Sequence, residues 1–128
     1  MTFQALLSAA ALVVGGAHVG GDWGRFGYDA ARHNSGPAAT GITAASVGSL
    51  KRQAVRLDGT VDSSPIYLRG IRGKDLFVVT TTFGKTEAID ASTGAVVWRY
   101  TPPTYASYAG TARITNATPV ADPGRKYV

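Results

Sequence analysis

Cysteine is absent from the 128 residues. That excludes disulfides, thiolate metal sites and a cysteine nucleophile. It leaves export open, because many bacterial envelope proteins carry no disulfide. Charge is scarce as well: 16% of residues are charged and 45% are hydrophobic, a balance that excludes a disordered tail. Histidine occurs only at His18 and His33, with no His-x-x-x-His or His–Glu pairing, so no zinc site is written into the chain. No G-x-G-x-x-G fingerprint occurs among the 16 glycines. The net charge is +5, but the basic residues are spread (Lys51, Arg52, Arg56; Arg69, Arg72, Lys74; Arg125, Lys126). A nucleic-acid binder more often shows a dense stripe with aromatic platforms. No long apolar run is present either. Ala5 to Val14 has the length of a signal-peptide h-region and is too short to span a bilayer comfortably.

What is present has a clear order. Residues 1–20 read as a signal peptide, with Gly15-x-Ala17 as a cleavage site, although Met1 to Gln4 holds no Lys or Arg. The alternative is a buried apolar helix of the mature protein. The first reading implies export to the periplasm or the extracellular space. Residues 21–59 form an irregular lead-in. Aromatics alternate with glycines in Asp22-Trp23-Gly24-Arg25-Phe26-Gly27-Tyr28-Asp29, without helix or strand period. Thr43 to Leu50 predicts one short helix near 43–50, with Thr43 as N-cap and Ile42 and Val47 as a hydrophobic staple.

Four strands are predicted over residues 60–100. Thr60 to Leu68 contains Pro65, which cannot donate to a ladder, so this strand is an edge, a bulge or a bend. Arg69 to Asp75 is a polar hairpin loop. Leu76 to Thr82 is a near-continuous buried run. Thr86 to Asp90 returns, and Ala95 to Tyr100 follows a tight turn. In that turn Asp90 can fold its carboxylate onto the following N–H groups, and Gly94 can take positive φ. Alternation places Val96, Trp98 and Tyr100 on one face and Val97 and Arg99 on the other. A hairpin this short cannot bury Trp98 alone, so something must stack on it.

Residues 101–128 read as a loop followed by a restart. Asn116-Ala117-Thr118-Pro119-Val120 echoes Asp62-Ser63-Ser64-Pro65-Ile66, with 54 positions between equivalent residues. Gly124 to Val128 echoes Gly73 to Val78. A repeat at this spacing is the signature of a propeller or array.

The motif A-x-D-x-x-T-G-x-x-x-W, here Ala88, Asp90, Thr93, Gly94 and Trp98, resembles the tryptophan-docking repeat of pyrroloquinoline-quinone (PQQ) type β-propellers. Asp22 to Asp29, with Arg32, Asn34, Ser35, Gly36, Pro37, Gly41 and Ile42, resembles the lead-in of the same family. The resemblance implies an all-β fold, with 60–100 as a first four-stranded antiparallel propeller blade and 101–128 as an inter-blade loop and the start of a second. It implies that Trp98 packs on the neighbouring blade and that the lead-in runs along the propeller's outside. Because propellers close with about four to eight blades, the chain reads as the N-terminal part of a longer protein.

Function follows only from the resemblance. The first expectation is a secreted binding or scaffold module without its own chemistry. Its partners would be the remaining blades, together with a protein or a polar small molecule. Nucleic acid and a stable membrane span are not expected. The alternative is the amino end of a PQQ-dependent dehydrogenase that oxidises an alcohol or sugar. There the inner strand of the first blade carries E-S-T-P, whose Glu helps hold the quinone, and Asp62-Ser63-Ser64-Pro65 is similar. Asp62 is therefore the cofactor-binding candidate, with PQQ and calcium belonging to the full-length parent. Asn116-Ala117-Thr118 lacks the vicinal cysteine pair common in those enzymes. Ser63, His33 and Asp62 have neither the spacing nor the elbow of a catalytic triad, and no catalytic or metal residue is assigned.

Overall fold

The computed structural model describes residues 21–36 and 40–128. The expected signal peptide, His18 and Pro37 lie outside them. The fold is all-β: one antiparallel sheet of four strands in the order β1-β2-β3-β4. The strands are β1 (Ile66–Ile71), β2 (Lys74–Thr80), β3 (Thr86–Asp90) and β4 (Val96–Tyr100). No helix among the described residues is long and apolar enough to cross a membrane.

Each connection has a local cause. β1 starts immediately after Pro65 rather than at Thr60, since the proline has no N–H for the ladder. The β1–β2 loop is tighter than the expected Arg69–Asp75. Ile71 pairs with Lys74, leaving only Arg72 and Gly73 to turn, with φ of 49° and 80°. Two-residue hairpins of matching twist need positive φ at both positions. Between β2 and β3 the Thr81 N–H donates to the Lys85 carbonyl, and Gly84 sits at φ 82°.

The expected helix near 43–50 is smaller, a 3-10 turn at Val47–Ser49. Thr43 caps the turn before it. Its Oγ1 accepts from the Ser46 N–H at 3.1 Å, and Ser46 Oγ accepts from the Thr43 N–H at 2.9 Å. Ile42 and Val47 are both half exposed, so the staple buries little. One helical turn, α1 (Tyr105–Tyr108), stands within the segment expected to be all loop.

The ladder aligns Ile66, Val78, Ala88 and Trp98 in one row across the sheet. The first three are fully buried and form the core with Leu68 and Leu76. The isoleucine, valine and leucine side chains among them stabilise by about 1.5–3 kcal/mol each when fully buried. Ile71 and Ala121 pack against this cluster. On the opposite face Val79, Glu87 and Ile89 are buried. The link preceding β1 passes that side: the Asp58 N–H donates to Glu87 Oε1 at 3.3 Å, and the Thr82 N–H donates to the Thr60 carbonyl at 2.8 Å. A Cβ at Gly94 would lie 2.9 Å from Val55 Cγ2.

A bulge in β4 corrects the expected division of its faces. Ala88 pairs with Trp98 while Ile89 pairs with Val96, so Val97 is the extra residue. Strict alternation fails across such an insertion. Val97 lines the same cleft as Trp98 and Tyr100, and Val96 goes to the side of Ile89.

Candidate functional site

Two places answer to the sequence candidates. One is the segment from Asp62 to Pro65 with its echo. The other is the face bearing Trp98.

The β3–β4 turn fixes the position of Trp98. Asp90 Oδ1 accepts from the N–H groups of Ser92 (2.9 Å) and Thr93 (3.2 Å) and from Ser92 Oγ (2.6 Å). Its Oδ2 meets Lys74 Nζ at 2.6 Å. Lys74, followed by the Ser92 hydrogen bonds, holds this carboxyl far below the ordinary aspartate range. Thr93 Oγ1 accepts from the Ala95 N–H at 3.2 Å, and Gly94 turns at φ 75°. Ala88, opposite Trp98 in the ladder, is fully buried.

Trp98 itself remains 39% exposed, more than a finished core tolerates for its largest apolar side chain. It lines a cleft of about 1040 Å³ with Leu68, Leu76, Val78, Val97 and Tyr100 on the sheet side. The C-terminal segment Gly124 to Val128 lines it as well. That segment forms no strand.

The echo is paired with its original. The Ser64 N–H donates to Thr118 Oγ1 at 3.1 Å, joining residues 54 positions apart. Thr82 sits between the two segments. Its N–H donates to the Thr60 carbonyl, and its carbonyl accepts from the Thr115 N–H at 2.8 Å. Asp62 is exposed and makes no hydrogen bond or ion pair among the described residues. Ser63 Oγ donates to the Thr80 carbonyl at 2.8 Å, and His33 Nδ1 lies 2.5 Å from Asp29 Oδ2. Ser63 and His33 are thus committed elsewhere, and no triad assembles. The His33 contact holds the Asp29 carboxyl below its ordinary range. No cluster of three metal-ligating side chains occurs among the described residues.

The lead-in lies against an edge of the sheet. Trp23 makes a two-way bridge with Tyr67, N–H to carbonyl at 2.7 Å and back at 3.0 Å, on the free edge of β1. An edge strand leaves every second N–H and carbonyl outside the ladder, and Trp23 supplies the partners for those of Tyr67. The Gly24 carbonyl accepts from the Ala121 N–H at 2.9 Å. Asp22 Oδ1 accepts from the Arg69 N–H at 2.8 Å, and its Oδ2 lies 2.9 Å from Arg125 Nε. Arg125 also donates to the Arg69 carbonyl. Asp22 thereby ties the lead-in, β1 and the restart together.

Sequence reasoning missed Asp22, Thr82 and Glu87. Glu87 is fully buried, with Arg99 Nε at 2.6 Å from Oε1 and no partner for Oε2 among the described residues. Its position two residues after Lys85 and twelve before Arg99 carries no local signal of burial. Thr82 and Thr118 could have been found by aligning the echo and asking what fills the seam. Comparison with protein-family models, with curated proteins and with solved structures gives no match for this chain.

Proposed function

We propose that residues 60–100 are one blade of a PQQ-type propeller and that 116–128 begins the next, in an exported binding or scaffold module. The reading is supported by the hydrogen bond between Ser64 and Thr118, which occupy the same position in the two similar segments. Blades arranged around an axis bring their inner segments together in this way. The partly exposed Trp98 and its apolar cleft agree with a face that another blade covers. The remaining blades are the first partners. Asp62, unpaired and exposed at the seam, is free to accept a hydrogen bond from a polar ligand.

The dehydrogenase reading is the alternative, favoured by the same free Asp62 beside Ser63-Ser64-Pro65. A titration of the chain with pyrroloquinoline quinone and calcium, read by absorbance and melting temperature, tests whether Asp62 takes part in a cofactor site within this part of the protein. The binding reading expects no saturable change. Calcium-dependent stabilisation that disappears in Asp62→Ala would transfer the assignment to the dehydrogenase. The seam is checked by Thr118→Val, which is expected to speed hydrogen exchange of the Ser64 amide while leaving Val78 protected. Unchanged exchange at Ser64 would remove the observation on which the reading rests.

A further inference from the structure

A second pocket lies away from Asp62 and Trp98, where the β2–β3 turn meets the loop after β4. Its volume is about 380 Å³, within the range of small-molecule sites. Phe83, Pro102, Tyr108 and Ile114 give it apolar walls, and Arg113 and Thr115 complete the lining. The walls are held by backbone. Thr115 is pinned to the Thr82 carbonyl, and the Tyr105 N–H donates to the Pro102 carbonyl at 2.9 Å. Gly84, at φ 82°, allows Pro102 to close in: a Cβ there would stand 3.3 Å from Pro102 Cγ.

Arg113 supplies the charge. Its guanidinium stands 6.0 Å from the centroid of the Tyr108 ring, and it is in no ion pair among the described residues. Lys85, the other cation of this end, is already committed to Asp58 at 2.7 Å and to the Tyr105 ring at 4.2 Å. An unpaired guanidinium against aromatic and proline walls complements a carboxylate carried on a flat apolar body. Arg is suited to this, because its planar fork binds a carboxylate by two parallel hydrogen bonds while its face rests on a ring.

We propose that this pocket is a binding site for small aryl carboxylates. The carboxylate pairs with Arg113, and the ring lies among Phe83, Pro102, Tyr108 and Ile114. The proposal is independent of the propeller reading, since every residue it uses belongs to the described chain.

The test is an NMR titration of the full chain with phenylacetate, with phenylacetamide and acetate as the matched probes lacking the charge or the ring. Phenylacetate is expected to shift the amides of Phe83, Gly84, Ile114 and Thr115 saturably, and each control to bind about tenfold more weakly or less. Arg113→Gln is expected to weaken phenylacetate by about tenfold while leaving phenylacetamide unchanged. Should that variant not fold, the unaltered chain gives the same answer. Raising salt from about 0.01 to about 1 M, which shortens the screening length from about 30 to about 3 Å, should weaken phenylacetate and spare phenylacetamide. Absence of saturable shifts at these amides, or equal binding of phenylacetate and phenylacetamide, would overturn the proposal.

Discussion

Two valines on the same face of the sheet have very different surroundings, and Val78→Ala against Val97→Ala measures the difference. Val78 is fully buried in the middle of β2, between Ile66 and Ala88 in the ladder. Val97 lies at the bulge of β4 and is 43% exposed. Truncation to alanine removes the same two methyl groups in each case. At about 0.8 kcal/mol per buried methylene, the transfer term at Val78 is about 1.6 kcal/mol. A partly collapsed cavity adds roughly 1 kcal/mol at about 24 cal/mol per Å³. Val78→Ala is therefore expected to cost about 2–3 kcal/mol, a melting-temperature fall of roughly 10 °C for a domain of this size. Val97→Ala should cost less than about 1 kcal/mol, because its methyl groups are already partly in water. Urea denaturation followed by tryptophan fluorescence gives both values. Equal costs at the two valines, or a cost below about 0.5 kcal/mol at Val78, would show that the core is not built around the Ile66–Val78–Ala88 row. A covering blade should raise the cost at Val97 alone, so the same pair of variants also reports on the proposed assembly.

Three further outcomes follow from the turns and the cleft. The Asp90 carboxyl is depressed in the folded state, so its stabilisation is complete above the ordinary aspartate range and is lost as pH falls through the folded value. Stability measured downward from about pH 4 should therefore drop less steeply in Asp90→Asn than in the unaltered chain, and equal slopes would refute the assignment. Gly94→Ala should destabilise by about 1–3 kcal/mol, since the position needs positive φ and a Cβ there would meet Val55 Cγ2 at 2.9 Å. Gly70→Ala, also at positive φ but with nothing within 4 Å, should cost less, and chemical denaturation ranks the two. Trp98→Ala should lower binding of a hydrophobic dye to the folded chain, because the indole borders the open apolar cleft, and unchanged dye binding would place the exposed patch elsewhere.

Much of the sheet was legible because its signals are local. Gly73 marks the first hairpin, although the loop expected there overreaches by three residues on one side and two on the other, and the strand expected from Thr60 begins only after Pro65, whose missing N–H bars the ladder. The overreach has a cause: Arg69, Lys74 and Asp75 look like loop residues, yet Asp75 is satisfied by the Tyr67 hydroxyl at 2.7 Å and the Gly70 N–H at 2.9 Å. Those partners offset the cost of a strand aspartate, so the ladder runs on to Lys74. The β4 bulge was not legible, since alternation is blind to an inserted residue. Asp62 is a candidate by its motif alone, whereas the pocket at Arg113 has no sequence motif. Its walls come from Phe83, Pro102 and Ile114, which no sequence spacing joins.

The sequence by itself determined the strand–turn–strand grammar and the 54-residue echo, because Asx-turns, positive-φ glycines and prolines act within a few residues of themselves. Tertiary structure alone decided that Glu87 is buried while Trp98 stands partly in water, that Asp22 joins three segments, and that Ser64 meets Thr118. The reason is one of range. A hydrogen-bonded turn is closed by its own neighbours, whereas the covering of a sheet face depends on which distant segment returns to lie on it.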